Sequence, residues 1–159
     1  MTDTPDLEQN PIIAKIRAWR PEAIAKLILF RGELTVVVYR EHLRPLAEFL
    51  ISEPDLAFTY LSDVTGMDRF PIEPRFELNY HLLSLSRRET IALRISLPGD
   101  DPVTQSVVPV WPTANWHERE IFDLLGIRFE GHPDLRRIVL PDDWEGHPLR
   151  KDYPVEGPR

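Results

Sequence analysis

The chain has 159 residues, 42% hydrophobic and 28% charged, a formal net charge of −7 and no cysteine. That length suits one domain with a real core, and the acidic balance argues against a nucleic-acid binder, which needs a basic stripe. The missing thiols exclude disulfides, thiolate zinc sites, cysteine-ligated iron–sulfur clusters and cysteine nucleophiles. No run approaches the roughly eighteen apolar residues of a membrane-spanning helix. No basic stretch followed by an apolar core marks a secretory signal, so a membrane link is expected only through partners.

The first ten residues are polar and read as a loose end. Ile12, Ile16 and Trp19 then predict a short amphipathic helix that stops before Pro21. Two apolar runs, Lys26 to Phe30 and Glu33 to Tyr39, flank Arg31-Gly32 and read as a β-hairpin. A helix is expected from about Glu41 to Ser52, because Leu43, Leu46, Ala47, Leu50 and Ile51 share one face. Pro45 then falls in its first turn, where a missing N–H costs little. Phe58 to Val64 reads as a third strand, with residues 65–68 leaving it.

The clearest alternation follows. Phe76, Leu78, Tyr80 and Leu82 interleave with polar residues, as do Ile91, Leu93, Ile95 and Leu97, so an antiparallel hairpin is predicted. His81 falls on its polar face and reads as a surface residue. Two amphipathic helices with these strands imply the α+β class, a two-layer arrangement with helices on one face. The sheet is expected to be mixed, largely antiparallel and about five-stranded. Residues 1–110 form the α/β core of this single domain, and 111–159 hold a further helix with an irregular C-terminal extension.

That last segment carries most of the information. A helix should start after Pro112, with Thr113 or Asn115 as N-cap and Asn115 with Glu118 as a capping box. Glu118 and Glu120 then lie in its first turn, Arg119 can pair with Asp123, Phe122 and Leu125 share a face, and Gly126 closes it. Beyond it come Gly131-His132-Pro133 and, fifteen residues later, Gly146-His147-Pro148. A leucine and two adjacent cations follow each: Arg136 and Arg137, then Arg150 and Lys151. Proline stiffens the backbone around these cations, which suits them to a carboxylate on another surface; solvated surface charge is the plainer reading. Five of the sixteen prolines lie beyond Gly131, so an ordered form of this tail needs something to pack against.

Two sharper chemistries can be drawn from the same residues. His117, His132 and His147 with Glu118 and Glu120 suggest a metal site, although the second histidine of a zinc-protease helix is missing. Glu118, Glu120 and Asp123 could serve as paired carboxylates for hydrolysis, although Glu118 and Glu120 fall on different helix faces. Trp116 suits core packing or an interface equally, and Trp144 an interface.

The stretch EREIFDLLGI (Glu118–Ile127) with FEGHPDLRRI (Phe129–Ile138) resembles the 30 kDa subunit family of complex I, the proton-translocating NADH:quinone oxidoreductase. LPDDWEGHPLRKDYP (Leu140–Pro154) is similar to that family's second block, and LSDVTGMD (Leu61–Asp68) to a weaker one. The resemblance implies a non-catalytic peripheral-arm subunit on the cytoplasmic face of the bacterial cell membrane. It implies no cofactor in this chain, with FMN, Fe–S clusters and quinone held by partner subunits. The implied partners are the larger quinone-site (49 kDa-type) subunit and neighbouring cluster-bearing subunits. Carried over to this sequence, the interface comprises Glu118, Arg119, Asp123, His132, Arg136, Arg137, Trp144, His147, Arg150, Lys151 and Tyr153. Two other readings stay open: the equivalent subunit of an energy-converting hydrogenase or ferredoxin-fed complex, and a stand-alone carboxylate hydrolase.

Overall fold

The computed structural model describes residues 7–156. Of the expected loose end, residues 1–6 lie outside that range, and Leu7–Gln9 form a single 3-10 turn. Asn10 then caps α1 (Pro11–Trp19): its side chain accepts the Ile12 N–H at 2.9 Å, and proline occupies the first turn. Ile12, Ile13 and Ile16 are its buried stripe. The hairpin forms as β1 (Ile24–Phe30) and β2 (Glu33–Val38). Arg31 and Gly32 both have positive φ, 52° and 83°, matching the twist of a two-residue turn.

A 3-10 turn at Arg40–His42 precedes α2 (Leu43–Ser52), so the helix starts two residues later than predicted. Leu43, Leu46, Ala47 and Leu50 bury the expected face. The third strand differs more. β3 spans Tyr60–Asp68, so residues 65–68 continue the strand rather than leaving it. The polar and glycine composition that suggested an exit is tolerated because β4 (Phe76–Ser84) pairs with every one of these positions. β5 (Glu89–Leu97) completes the second hairpin.

The five-stranded sheet has the order β1-β2-β5-β4-β3. Only the β2–β5 pair is parallel, and the other three are antiparallel. In register, Val36, Leu93 and Tyr80 line one face, with Leu34, Leu78 and Ile95 beside them. This face shares one core with α1, α2 and α3 (Ala114–Leu125), whose Ile121 and Leu125 are buried in it. The opposite face carries a polar lattice. Arg94 donates to Asn79, Arg69 pairs with Glu77, and His81 lies half-buried 2.6 Å from Asp63 Oδ1.

Two short parallel strands, β6 (Val103–Gln105) and β7 (Arg128–Glu130), flank α3 and have no counterpart among the predicted elements. Three residues are too few to show alternation. They bring the segment after α3 back beside the one before it, and this sets up the site.

Candidate functional site

α3 does not begin as predicted. Thr113 is the N-cap residue but its side chain makes no capping bond, and Asn115 forms no capping box with Glu118. Glu118 lies beyond the first turn and points inward, fully buried. Its Oε2 accepts the Ser106 hydroxyl at 2.6 Å and its Oε1 the Val107 N–H at 2.8 Å. The carboxylate expected to cap its own helix instead caps the loop between β6 and α3.

Arg119 and Asp123 do not pair either, because the C-terminal segment claims both. Arg119 donates to the carbonyls of Arg136 and Arg137. Asp123, with no solvent exposure, gathers the chain around itself. Its Oδ2 accepts the backbone N–H groups of Ile138, Val139 and Leu140 at 3.0, 2.7 and 2.9 Å. Its Oδ1 accepts Arg137 Nη1 at 2.6 Å. Burial alone would raise this carboxyl, but the converging backbone donors and Arg137 hold it below its ordinary value. Arg137 extends the tie, since its Nη2 donates to the carbonyls of Trp144 and Gly146.

A helix leaves its last four carbonyls without helical partners; here the Gly126 N–H takes that of Phe122 and the second Gly-His-Pro block supplies the other three. His147 Nδ1 donates to Asp123 O, Leu149 N–H to Leu124 O, and Arg150 Nε to Leu125 O at 2.6 Å. Burial lowers the His147 pKa, which keeps the ring neutral as this bond allows. Arg150 brings a cation to the negative end of the helix dipole. Gly126 has φ 74°, and a Cβ there would strike the His147 ring, so only glycine lets the strap pass this close. The first Gly-His-Pro block works on the other half of α3: His132 Nε2 donates to Asn115 O while Nδ1 accepts Asp134 N–H. The two echoing blocks therefore clamp opposite ends of one helix.

The strap ends on a second buried carboxylate. Asp68 receives Arg75 in a two-pronged pair, at 2.9 and 2.7 Å, along with the Lys151 and Phe70 N–H groups. Burial would raise its carboxyl, but Arg75 and these N–H groups pull it well below the carboxylate range. Arg75 also holds Asp152 at 2.7 and 3.0 Å. Sequence reasoning missed Arg75, Asp152 and Ser106. The available signal was an arginine between Pro74 and the buried strand residue Phe76, where a cation needs a carboxylate partner.

Arg119, Arg137 and Arg150 spend their guanidinium groups inside their own chain. Of the cations that proline stiffening suited to an outside carboxylate, Arg137 and Arg150 are held by backbone carbonyls and, for Arg137, by Asp123. Arg136 is exposed and pairs with its neighbour Asp134, and Lys151 is exposed. Trp144 is 38% exposed, and the Tyr153 hydroxyl donates to Glu145 O at 3.3 Å. Trp116, which suited core packing or an interface equally, is 61% exposed and not in the core, while Trp111 is the buried one, donating to Phe58 O. Trp116 instead lies under the Arg119 guanidinium.

Among the described residues no group of three or more His, Cys, Asp or Glu side chains could hold a metal ion. Glu118 and Glu120 address no common cavity, since the first is sealed and the second is exposed. Burial pushes the Glu118 carboxyl up to about 7, with its two hydrogen bonds offsetting only part of that. Burial, with the nearby Glu118 charge, likewise raises Tyr80, whose hydroxyl has no hydrogen-bond partner. No helix among the described residues is long and apolar enough to cross a membrane.

These features define a small α+β scaffold whose C-terminal strap is clamped onto its own signature helix. Residues 36–159 match the family described as the respiratory-chain NADH dehydrogenase 30 kDa subunit, and the chain belongs to that family. It is 45% identical over 149 residues to an NADH-quinone oxidoreductase subunit of Roseiflexus sp. strain RS-1, covering 94% of this chain and 86% of that one. The same-named subunit of Geotalea uraniireducens is 42% identical over 151 residues, covering 95% and 91%. Among solved structures, the trypsin-resistant fragment (1-134) of Nqo5 superposes with a TM-score of 0.66 at 31% identity, covering 78% of this chain and 98% of that one. A chain of the membrane-bound sulfane sulfur reductase, an archaeal respiratory membrane complex, reaches 0.76 at 25% identity, covering 91% and 84%.

Proposed function

We propose that this chain is the cofactor-free peripheral-arm subunit of a proton-translocating NADH:quinone oxidoreductase, complex I. Electrons pass from NADH through the FMN and Fe–S clusters of other subunits to quinone, and this chain contributes scaffold and assembly. The observation that carries the reading is the family match across residues 36–159, supported by the 45% identity to the Roseiflexus oxidoreductase subunit. Its neighbours are the larger, 49 kDa-type quinone-site subunit and the cluster-bearing subunits, and it sits on the cytoplasmic face of the bacterial membrane through them.

In this reading, residues 111–159 form the partner-binding segment. The internally clamped side chains Glu118, Arg119, Asp123, His132, Arg137, His147 and Arg150 shape it. Arg136, Trp144, Lys151 and Tyr153 present it. Affinity purification of the tagged chain from solubilised membranes tests the reading. NADH-binding and quinone-site subunits should accompany it, and its deletion should abolish NADH:quinone activity until the wild-type chain is restored. Reversing charge at Arg136 and Lys151 should weaken that co-purification and leave the melting transition unchanged.

The likeness to the sulfane sulfur reductase chain supports a second reading, placement in a related respiratory membrane complex, which a ferredoxin-fed or hydrogenase-type complex would satisfy. Co-purification of such partners in place of an NADH-binding subunit would select it.

A further inference from the structure

The two edges of the five-stranded sheet, β1 and β3, are not alike. Each carries a register shift near its start, at Ile24/Lys26 in β1 and Leu61/Asp63 in β3, but β1 also carries Lys26, which discourages pairing with another chain. β3 from Asp63 to Asp68 runs in unbroken register against β4 and contains neither lysine nor proline. Among the described residues no further backbone hydrogen bond reaches this stretch from its outer side. Its exposed side chains are Thr65 and Met67.

An apolar groove of about 190 Å3 lies beside this edge, between β3 and α3. Gly66, Ile121 and Leu125 line its inner part, with Leu124 and the 59%-exposed Leu149 alongside. Glu120 also lines it, and among the described residues no cation pairs with its exposed carboxylate. Open backbone groups, an apolar slot and a free negative charge together match the way an extended peptide adds to a sheet.

We propose that a neighbouring subunit adds an extended segment along the outer edge of β3, with an apolar side chain in this groove and a lysine or arginine against Glu120. A second copy of this chain fits less well, because two chains of net charge −7 would repel. The proposal rests on the chain being a subunit of a larger complex.

Hydrogen–deuterium exchange of residues 60–68, in the free chain and in the purified complex, provides the test. The outward-facing amides should exchange at least about ten-fold more slowly in the complex. The double variant Thr65→Lys, Glu120→Lys changes two exposed positions. It should melt like wild type and enter the complex at about a tenth of the wild-type level. Co-purification of the wild-type chain with unchanged exchange at β3, or normal entry of the double variant, overturns the proposal and leaves the subunit reading standing. If the wild-type chain brings down no oxidoreductase subunit, both fall. Slow exchange already present in a dimer of the free chain would replace the partner segment with a second copy.

Discussion

Between β1 and β5 the chain is held by side chains such as Leu50, Leu78 and Leu93, none of which has any solvent exposure. From Gly131 to Glu156 it has no helix or strand, and apart from the sealed His132 side chain its residues are exposed or half-buried. The first region would keep its shape under many apolar exchanges of similar volume, because burial is not directional. The second is placed by a few directional bonds that converge on two buried carboxylates, Asp123 and Asp68. A strap of this kind gains position without a core of its own. It should fail at single atoms, where the sheet would fail gradually.

The largest effect should come from Asp123→Ala, which strands Arg137 and three backbone donors. We expect a loss of about 3–5 kcal/mol in urea unfolding, comparable to about 2–5 for Leu50→Ala in the core. A loss under about 1 kcal/mol would mean that Asp123 does not organise the strap. Arg75→Ala leaves Asp68 buried without its cation and releases Asp152, at a cost of about 3 kcal/mol. Its distinctive sign is new protease cleavage between His147 and Tyr153 with the sheet intact. Gly66→Ala probes the seam between the regions. A Cβ there would sit 2.7 Å from Leu125 Cδ1 and 3.3 Å from Ile121 Cγ2. About 1–3 kcal/mol should be lost if the packed Leu125 side chain cannot turn aside, and a neutral result would show that it can.

The pH dependence separates the buried acids. Glu118 has a folded pKa of about 7 against an ordinary 4.5, so the fold favours its protonated form. That contribution is complete below 4.5, is lost as pH rises toward 7, and is flat above. Asp68 and Asp123 have depressed values, so their contribution is present above about 3.8 and is lost as pH falls through the folded values. Glu118's contribution to the unfolding free energy should therefore fall between pH 5 and pH 8, by at most about 1.4 kcal/mol per pH unit across the titration, and lower the urea midpoint with it. Glu118→Gln should abolish that fall. His147, with its lowered value, works in the opposite sense below 6.5, so the contradicting result is a Glu118→Gln variant whose pH profile runs parallel to wild type. The smallest effect should be that of Arg136→Ala, whose partner Asp134 is exposed as well, so the unfolding midpoint should not move.

How much of this was legible in the sequence follows the same division. The sheet and the first two helices could be read because period-two and helical alternation record which face is buried, as Leu78, Tyr80 and Leu82 do. The C-terminal block drew attention through its spacing and its resemblance to a family, but the use of its side chains could not be read. Arg119 and Asp123 are four apart and looked like a helix pair. Their true partners, Arg136 to Leu140, sit well over three helical turns away along the chain, where no local pattern reaches. Glu118 looked like a capping residue because β6, which leads into Ser106, was too short to detect. The tail did need something to pack against, and that surface is largely the chain's own α3.

The most direct test of an internally clamped strap is amide exchange in the isolated full-length chain at Ile138, Val139, Leu140 and Leu149, whose N–H groups bind Asp123 and the end of α3. We expect these amides to be protected without any partner and to lose protection together in Asp123→Ala, while β4 and β5 amides stay protected. Free exchange at these four positions in the wild-type chain would contradict the clamp, because the strap would then owe its order to another subunit.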